Sequence, residues 1–477
     1  MLRRTKIVAT LGPASASQEV LDRMVEAGVD VVRLNFSHGN AQQHIASAEL
    51  TRSIARARGR AVGVLVDLQG PKIRIGKFKN KKVILKNDDT FILDADCAMG
   101  NESIVGLDYK DLPRDVSRGS TLLLDDGRIV LWVEKVEGSK IICKVTHGGV
   151  LSDNKGINRL GGGLSAAALT EKDIEDIKTA AALKADYLAV SFPRCGDDIV
   201  KARDLLRAAG GKGLIVAKIE RAEAITCLEE ILDAADVIMV ARGDLGVEVG
   251  DAAVPALQKR MIREARLKNK LVITATQMME SMIHSPIPTR AEVSDVANAV
   301  IDGTDAVMLS AETATGTYPV ETVAAMDRVC REAEKEEESG FTQMRMNRDF
   351  TGIDESIAMA TLFTANHLCV KAIAALTQSG STALWMSRLN AGVPIYALTP
   401  QVETRRKVTL FRGVYPVNFK VSTNDREQIL IEAEDELRRR GAVRDGDLIV
   451  LTIGEPIGKS GGTNTMKIVK VGEHLKA

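Results

Sequence analysis

Short apolar runs alternate with amphipathic helical stretches along much of the chain. Eight runs have the length and texture of strands buried on both faces: Lys6 to Thr10, Val29 to Leu34, Ala61 to Val66, Tyr187 to Val190, Leu214 to Ala217, Val237 to Ala241, Leu271 to Ala275 and Ala306 to Leu309. Unbroken apolar runs of this kind fit a parallel sheet covered by helices. Helical periodicity at Glu19 to Ala27, Glu171 to Leu183, Asp198 to Ala209 and Pro255 to Asn269 lies between or beside them. Repeating strand–helix units predict an α/β fold, and eight of them predict a closed (β/α)8 barrel.

That count requires a long interruption, residues 70–164, to be lifted out between the third and fourth units. Inside it the pattern changes to short alternating runs such as Val83-Ile84-Leu85, Phe91-Ile92-Leu93, Thr121 to Leu124, Ile129 to Val133 and Ile141 to Val145, separated by Asp-Asp, Asp-Gly and Glu-Gly turns. Alternation with such turns predicts a small β domain, well placed to act as a lid on the barrel. Gly161-Gly162-Gly163 at its exit is a hinge or a loose loop. After the eighth unit, an acidic and basic helix from Thr322 to Ser339 marks a boundary, and a third domain starts near Phe341. It alternates again, with strands at Ala372 to Leu376, Ile395 to Leu398, Leu448 to Ile453 and Met466 to Val471. Helices at Asp354 to Leu368, Thr382 to Asn390 and Asp425 to Arg440 fall between them. The expected organisation is a barrel from 1–69 and 165–340, an inserted β lid from 70–164, and a C-terminal α/β domain from 341–477.

Composition narrows the class. A chain of 477 residues with 45% hydrophobic residues can build several cores. Its 64 Lys and Arg balance 64 Asp and Glu, so no overall field recruits nucleic acid or an anionic membrane. The local runs Arg56 to Arg60 and Arg438 to Arg440 read as solvated helix faces. Six cysteines are scattered without metal-ligand spacing, which predicts free thiols in a reducing compartment. No signal-peptide pattern opens the sequence and the uncharged run Ile357 to Val370 is too short for a membrane span, so a cytoplasmic location is expected.

The polar residues that follow the barrel runs carry the candidate chemistry. The second run leads to Arg33, Asn35, Ser37 and His38, and the third to Asp67. The fifth leads to Lys218 and Glu220, the sixth to Arg242 and Asp244, the seventh to Thr276 and Gln277, and the eighth to Ser310 and Glu312. In a barrel these all reach the face formed by the carboxyl ends of the strands, where ligands bind. Incidental rim salt bridges would not favour one end of every strand. Glu220 and Asp244 are hard oxygen ligands suited to Mg²⁺, with Lys218 as a point charge for an anion. Asp244 follows Gly243 and opens a helical turn, whose free N–H groups suit a carboxylate or phosphate.

Several of these segments resemble pyruvate kinase: Thr5 to Pro13, Arg33-Leu34-Asn35-Phe36-Ser37-His38-Gly39, Ala217-Lys218-Ile219-Glu220, Ala241 to Glu248, Ala275 to Met282 and Met308 to Thr313. The resemblance covers essentially the whole chain and implies the same barrel, lid and C-terminal domain. It implies Mg²⁺-dependent phosphoryl transfer from phosphoenolpyruvate to ADP, giving pyruvate and ATP. Lys218 and Arg33 would act on the phosphoryl group, and Glu220 and Asp244 would hold Mg²⁺. Gly243, Asp244 and Thr276 would receive the substrate carboxylate, and the enolate would take its proton from Thr276, Ser310 or a relayed water. Arg74 and Arg33 would clamp phosphate. Lys155 and His38 are candidate nucleotide contacts, with capping of its own loop as the other role for His38.

The resemblance also implies a monovalent-cation pocket at Asn35, Ser37, Asp67 and Leu68. Many family members that need K⁺ carry Thr, Lys and Glu where this chain has Leu68, Gln69 and Lys72. The tethered ammonium of Lys72 is therefore expected to replace K⁺. The hydroxyl-rich turn Thr377, Gln378, Ser379, Gly380, Ser381 and Thr382, with the loop Gly454 to Thr465, matches the family's effector site. Gln378 stands where some fructose bisphosphate-responsive members carry lysine, which favours AMP or a sugar monophosphate, and a homotetramer is expected. Two rivals remain on sequence: a Mg²⁺-dependent barrel lyase acting on phosphoenolpyruvate or pyruvate, and a silent homologue that only binds metabolites. Neither requires ADP.

Overall fold

The computed structural model describes residues 2–336, 350, 352–389, 392–423, 425–456 and 462–473. Among them, eight parallel strands close a barrel: Lys6–Thr10, Val31–Asn35, Gly63–Asp67, Tyr187–Val190, Leu214–Ile219, Val237–Ala241, Leu271–Ala275 and Ala306–Leu309. Each pairs with its neighbours in chain order, and the first closes the ring onto the eighth. The eight runs expected from sequence are these strands: five have the expected bounds, and the second, third and fifth have ends that differ by one or two residues. Asn35, Asp67 and Lys218 accordingly sit within the strands and not after them.

Alternation along each strand explains why the runs are apolar throughout. Ile7 and Ala9 face the surrounding helices, while Val8 joins Val31, Leu65, Val216 and Met239 inside the ring. The helices are set by local chemistry as well as by their apolar stripes. Asn40, Thr170 and Thr289 each cap a helix N-terminus in a reciprocal capping box.

Residues between the third and fourth barrel strands form a six-stranded sheet and a separate two-stranded one around their own core, which includes Phe91, Leu122, Leu131 and Val145. Short strands at Ile104–Gly106, Gly149–Ser152 and Ile157–Arg159 add to those expected. The glycine run at its exit is held in place: Gly161 donates its N–H to the Glu248 carbonyl at 3.0 Å, and Gly163 donates to the Glu223 carboxylate.

The C-terminal part is a five-stranded sheet whose order runs Val414–Asn418, Ile395–Thr399, Ala372–Leu376, Leu448–Gly454, Thr463–Lys470, parallel except for the last strand. Val414–Asn418 is an edge strand that the sequence pattern does not predict, because Pro416 interrupts the run and is tolerated only at an edge. The expected boundary near Phe341 lies outside the described residues, as do residues 457–461 of the loop Gly454 to Thr465. The interior of the barrel is continuous with the core beneath this sheet, through Tyr187, Leu410 and Phe411. The amino-terminal end of the barrel is thus sealed by the C-terminal domain, and the carboxyl end is left for chemistry.

None of the six cysteines is paired. Among the described residues, no helix is long and apolar enough to cross a membrane.

Candidate active site

At the carboxyl end of the barrel, Lys218 is the centre of a buried charge cluster. Its ammonium lies 2.8 Å from Glu220 Oε1 and 3.3 Å from Asp67 Oδ1, and it donates to Ser191 Oγ at 2.8 Å. Arg33 Nε closes on Asp67 Oδ2 at 2.7 Å, and a second guanidinium nitrogen donates to Thr10 Oγ1 at 3.0 Å. Asp67 and Glu220 are each only 1% exposed.

Burial alone would push the Asp67 carboxyl up, but Lys218 and Arg33 outweigh it and hold the group below the ordinary carboxylate range. Burial likewise works to discharge Lys218, and the facing Asp67 and Glu220 carboxylates overcome it and raise its pKa. The ammonium is therefore charged. Glu220 goes the other way: burial pushes it up against the pull of Lys218, with neighbouring Asp244 and Asp67 adding to the rise. A carboxylate destabilised by a second carboxylate is relieved when a cation arrives between them.

Glu220 and Asp244 fit a divalent cation on these grounds. Among the described residues no group of three His, Cys, Asp or Glu side chains forms a closed cage. Two carboxylates with the remaining positions left to water and substrate oxygens are what Mg²⁺ accepts. Glu220 Oε2 accepts the Phe192 N–H at 3.0 Å, which fixes the carboxylate plane. Asp244 is the more open of the two, with its side chain 27% exposed.

The helix Arg242–Val249 starts at this rim and carries Gly243 and Asp244 in its first turn. Gly243 donates its N–H to Thr276 Oγ1 at 2.8 Å, and the same hydroxyl donates to the Ala275 carbonyl at 2.6 Å. Thr276 and Gln277 both adopt left-handed backbone, at φ 69° and 56°. For residues other than glycine this costs roughly 1–3 kcal/mol each and is found where function holds the chain in place. Arg242 supplies the restraint. It donates to the Ala275 and Thr276 carbonyls at 3.2 and 2.7 Å and pairs with Asp295 at 2.7 Å. Glu312 plays a similar part, accepting N–H groups from Met279 and Ser310 at 3.2 and 2.7 Å. Both were candidates for the open face; both are spent on shaping it.

Other sequence candidates occupy different surroundings. Asn35 Oδ1 accepts the Ser37 N–H at 3.1 Å, and the exposed His38 gives its carbonyl to the His44 ring at 2.9 Å. The Leu68 side chain is buried among the residues between barrel and helices. Lys72, expected beside Asp67, instead places its ammonium 3.7 Å from Asp244 Oδ1. The cause is the chain's exit into the inserted β domain at Gly70, where φ is 66° and the backbone packs against Ser191. Arg74 and Lys155 lie in the inserted β domain, where Arg74 donates to the Asn154 carbonyl at 3.1 Å and Lys155 pairs with Asp125 at 2.7 Å.

Two residues of the site escape the sequence reading. Ser191 takes the Lys218 ammonium and donates to the Leu68 carbonyl at 2.8 Å, and Phe192 holds left-handed backbone at φ 56° while its N–H orients Glu220. Their signal is positional, since they directly follow the run Tyr187 to Val190.

In the C-terminal domain, the turn before helix Ser381–Arg388 has Gly380 in left-handed backbone at φ 89°, with its N–H donated to Thr377 Oγ1 at 2.9 Å. Ser379 and Ser381 hydroxyls meet at 3.1 Å. Thr377, Gln378, Ser381, Thr382 and Thr463 line one small pocket.

Residues 2–323 match the family model described as pyruvate kinase, barrel domain, and residues 355–469 match the one described as pyruvate kinase, alpha/beta domain. Pyruvate kinase II of Salmonella typhimurium is 54% identical over 476 residues, covering 98% of this chain and 99% of that protein. A pyruvate kinase of Buchnera aphidicola subsp. Schizaphis graminum is 52% identical over 476 residues, with 98% and 99% covered. One of Haemophilus influenzae is 52% identical over 459 residues, with 95% and 96% covered.

Proposed function

Because the chain belongs to the pyruvate kinase family, we propose that its barrel mouth transfers the phosphoryl group of phosphoenolpyruvate to ADP, giving pyruvate and ATP in the cytoplasm. The observation that carries this reading is the Lys218 ammonium, kept charged between Asp67, Glu220 and Ser191 at the open end of the barrel. In the reaction the bond from phosphorus to the enol oxygen breaks and one to a terminal ADP oxygen forms. Lys218 stabilises negative charge on the moving phosphoryl group and on the enolate oxygen left behind, and Arg33 steadies phosphate oxygens. Mg²⁺ held by Glu220 and Asp244 supplies further positive charge when bound. The N–H groups at the start of helix Arg242–Val249, with Thr276, receive the substrate carboxylate. The enolate is then protonated at carbon. If Thr276 is the donor, it must first release its bond to the Ala275 carbonyl. Arg74, Lys155 and His38 are assigned to the nucleotide side, where lid closure would bring the first two inward.

Turnover without K⁺ is the second part of the proposal. Position 68 offers no side-chain oxygen to a monovalent cation, and Lys72 brings a fixed ammonium into the mouth beside Asp244. The test is pyruvate formation from phosphoenolpyruvate and Mg²⁺ in buffer free of Na⁺ and K⁺, with and without ADP. Robust, ADP-dependent turnover is expected, and Lys72→Glu should make that turnover depend on added K⁺. ADP-independent product would replace the kinase by a lyase. A K⁺ requirement in the unaltered enzyme would leave the kinase standing and remove the role of Lys72.

The turn Thr377 to Thr382 is assigned to a phosphorylated activator, AMP or a sugar monophosphate, in a homotetramer. The path to the barrel is short. Thr404 donates to the Gln378 carbonyl at 2.6 Å, and two residues on, in the same helix Val402–Lys407, Arg406 pairs with barrel residue Asp186 at 2.9 Å. Addition of either compound is expected to lower the phosphoenolpyruvate concentration at half-maximal rate, by biasing two global states.

A further inference from the structure

Positive charge also collects at the seam between the amino-terminal end of the barrel and the C-terminal domain. A groove there is lined by Arg52, Arg56 and Arg60 from the barrel side and by Arg405, Arg406 and Arg440 from the C-terminal side. The sequence reads Arg56 to Arg60 and Arg438 to Arg440 as separate solvated faces; the fold brings members of both together with the helix Val402–Lys407.

Carboxylates match only half of this charge. Arg406 pairs with Asp186 at 2.9 Å, Arg440 with Glu436 at 2.7 Å and Arg60 with Asp30 at 3.7 Å. Arg52 reaches only a carbonyl, that of Lys184 at 2.7 Å, although Asp186 and Glu49 act on it from further away. The guanidinium groups of Arg56 and Arg405 make no hydrogen bond or ion pair among the described residues. Arg52 Nε and Arg405 Nε are buried without an acceptor.

Unpaired buried donors are costly and rare, and each one here belongs to a cation beside other cations. Burial depresses the Arg52 pKa, with Arg406 adding to the effect, and burial followed by Arg406 and Arg440 does the same to Arg405. Such a cluster is relieved by an anion with many oxygens, which guanidinium forks grip two at a time. Ala55, Val62 and the half-exposed Val402 complete the wall, so the recess is bounded and partly apolar. A short recess on a chain with balanced overall charge suits a small molecule better than a nucleic-acid strand.

We propose that this groove is a second anion site, apart from the barrel mouth and from the turn Thr377 to Thr382, that binds a small molecule carrying two or more phosphoryl groups. Such a ligand would bridge guanidinium groups of the barrel and the C-terminal domain across the seam.

The test uses inorganic tripolyphosphate as probe, titrated calorimetrically into the full chain without Mg²⁺ and at fixed ionic strength. Saturable binding at the groove is expected to weaken at least tenfold in Arg56→Gln/Arg405→Gln and to persist in Thr382→Val. Without the probe, the double variant is expected to melt no lower than the parent, since it removes unmatched like charge; a merely structural pair of arginines would lower it. Absence of saturable binding, affinity unchanged in the double variant, or binding lost only in Thr382→Val would each overturn the proposal. So would preference for an oligonucleotide over tripolyphosphate at the same groove.

Discussion

A Lys218→Met enzyme is expected to lose at least about a thousandfold in kcat, because a preorganised charge aimed at the transition state is among the largest single contributions a side chain makes. The geometry makes this more than loss of a generic cation. The ammonium is shared by Asp67 and Glu220 and seated on Ser191, all three nearly inaccessible to water, so it is fixed in place and, in the proposed reaction, would need no reorganisation where charge develops. Removing it leaves Asp67 with Arg33, at 2.7 Å, but leaves Glu220 without a cation. Glu220, already displaced upward by burial, should then titrate higher still in the absence of metal. Steady-state kinetics of the variant should therefore show the loss in kcat, with the affinity for divalent metal retained or increased. A variant that keeps kcat within tenfold would remove Lys218 from the chemistry.

The largest effect on stability is expected from Arg388→Leu. This side chain of the C-terminal domain is 2% exposed and forks onto barrel residue Asp305, which is 1% exposed. One nitrogen donates to Asp305 Oδ2 at 2.7 Å and to the Lys270 carbonyl at 2.9 Å; the other meets Asp305 Oδ1 and donates to Ser387 Oγ at 3.0 Å. Asp305 Oδ2 also accepts the Val272 N–H at 2.8 Å, so the pair ties the C-terminal helix Ser381–Arg388 to the barrel strand Leu271–Ala275. Breaking one side of such a pair strands a buried charge and costs about 3–5 kcal/mol. Denaturant unfolding should show that loss, and Arg388→Leu/Asp305→Leu should recover part of it, since no charge is then left alone. Equal loss in the single and double variants would mean that packing of the arginine stem, not the ion pair, holds this seam.

The barrel was legible in the sequence because strands buried on both faces read as unbroken apolar runs, and Lys218, Glu220 and Asp244 stand at or just past their ends. What escaped has physical reasons. Val414–Asn418 contains Pro416, which argues against a strand anywhere but at an edge. Ser191 and Phe192 carry no charge to draw attention, and their role depends on Gly70 packing against them across the barrel rim. Lys72 lies close to Asp67 in the chain, yet the turn at Gly70 sends it toward Asp244, a relation that spacing cannot encode. Arg242 and Glu312 look like site residues by position; only the hydrogen bonds reveal that they hold the loops of the mouth in shape. The arginine groove is the clearest case of all, since its members come from three distant stretches.

Binding of Mn²⁺ in the presence of phosphoenolpyruvate, followed by electron paramagnetic resonance, tests the centre of this account most directly. One ion per chain is expected, with affinity reduced at least tenfold in both Glu220→Gln and Asp244→Asn, as loss of a carboxylate ligand demands. Equal affinity in the parent and both variants would contradict it, and would move the metal, and the chemistry with it, away from the Lys218 cluster.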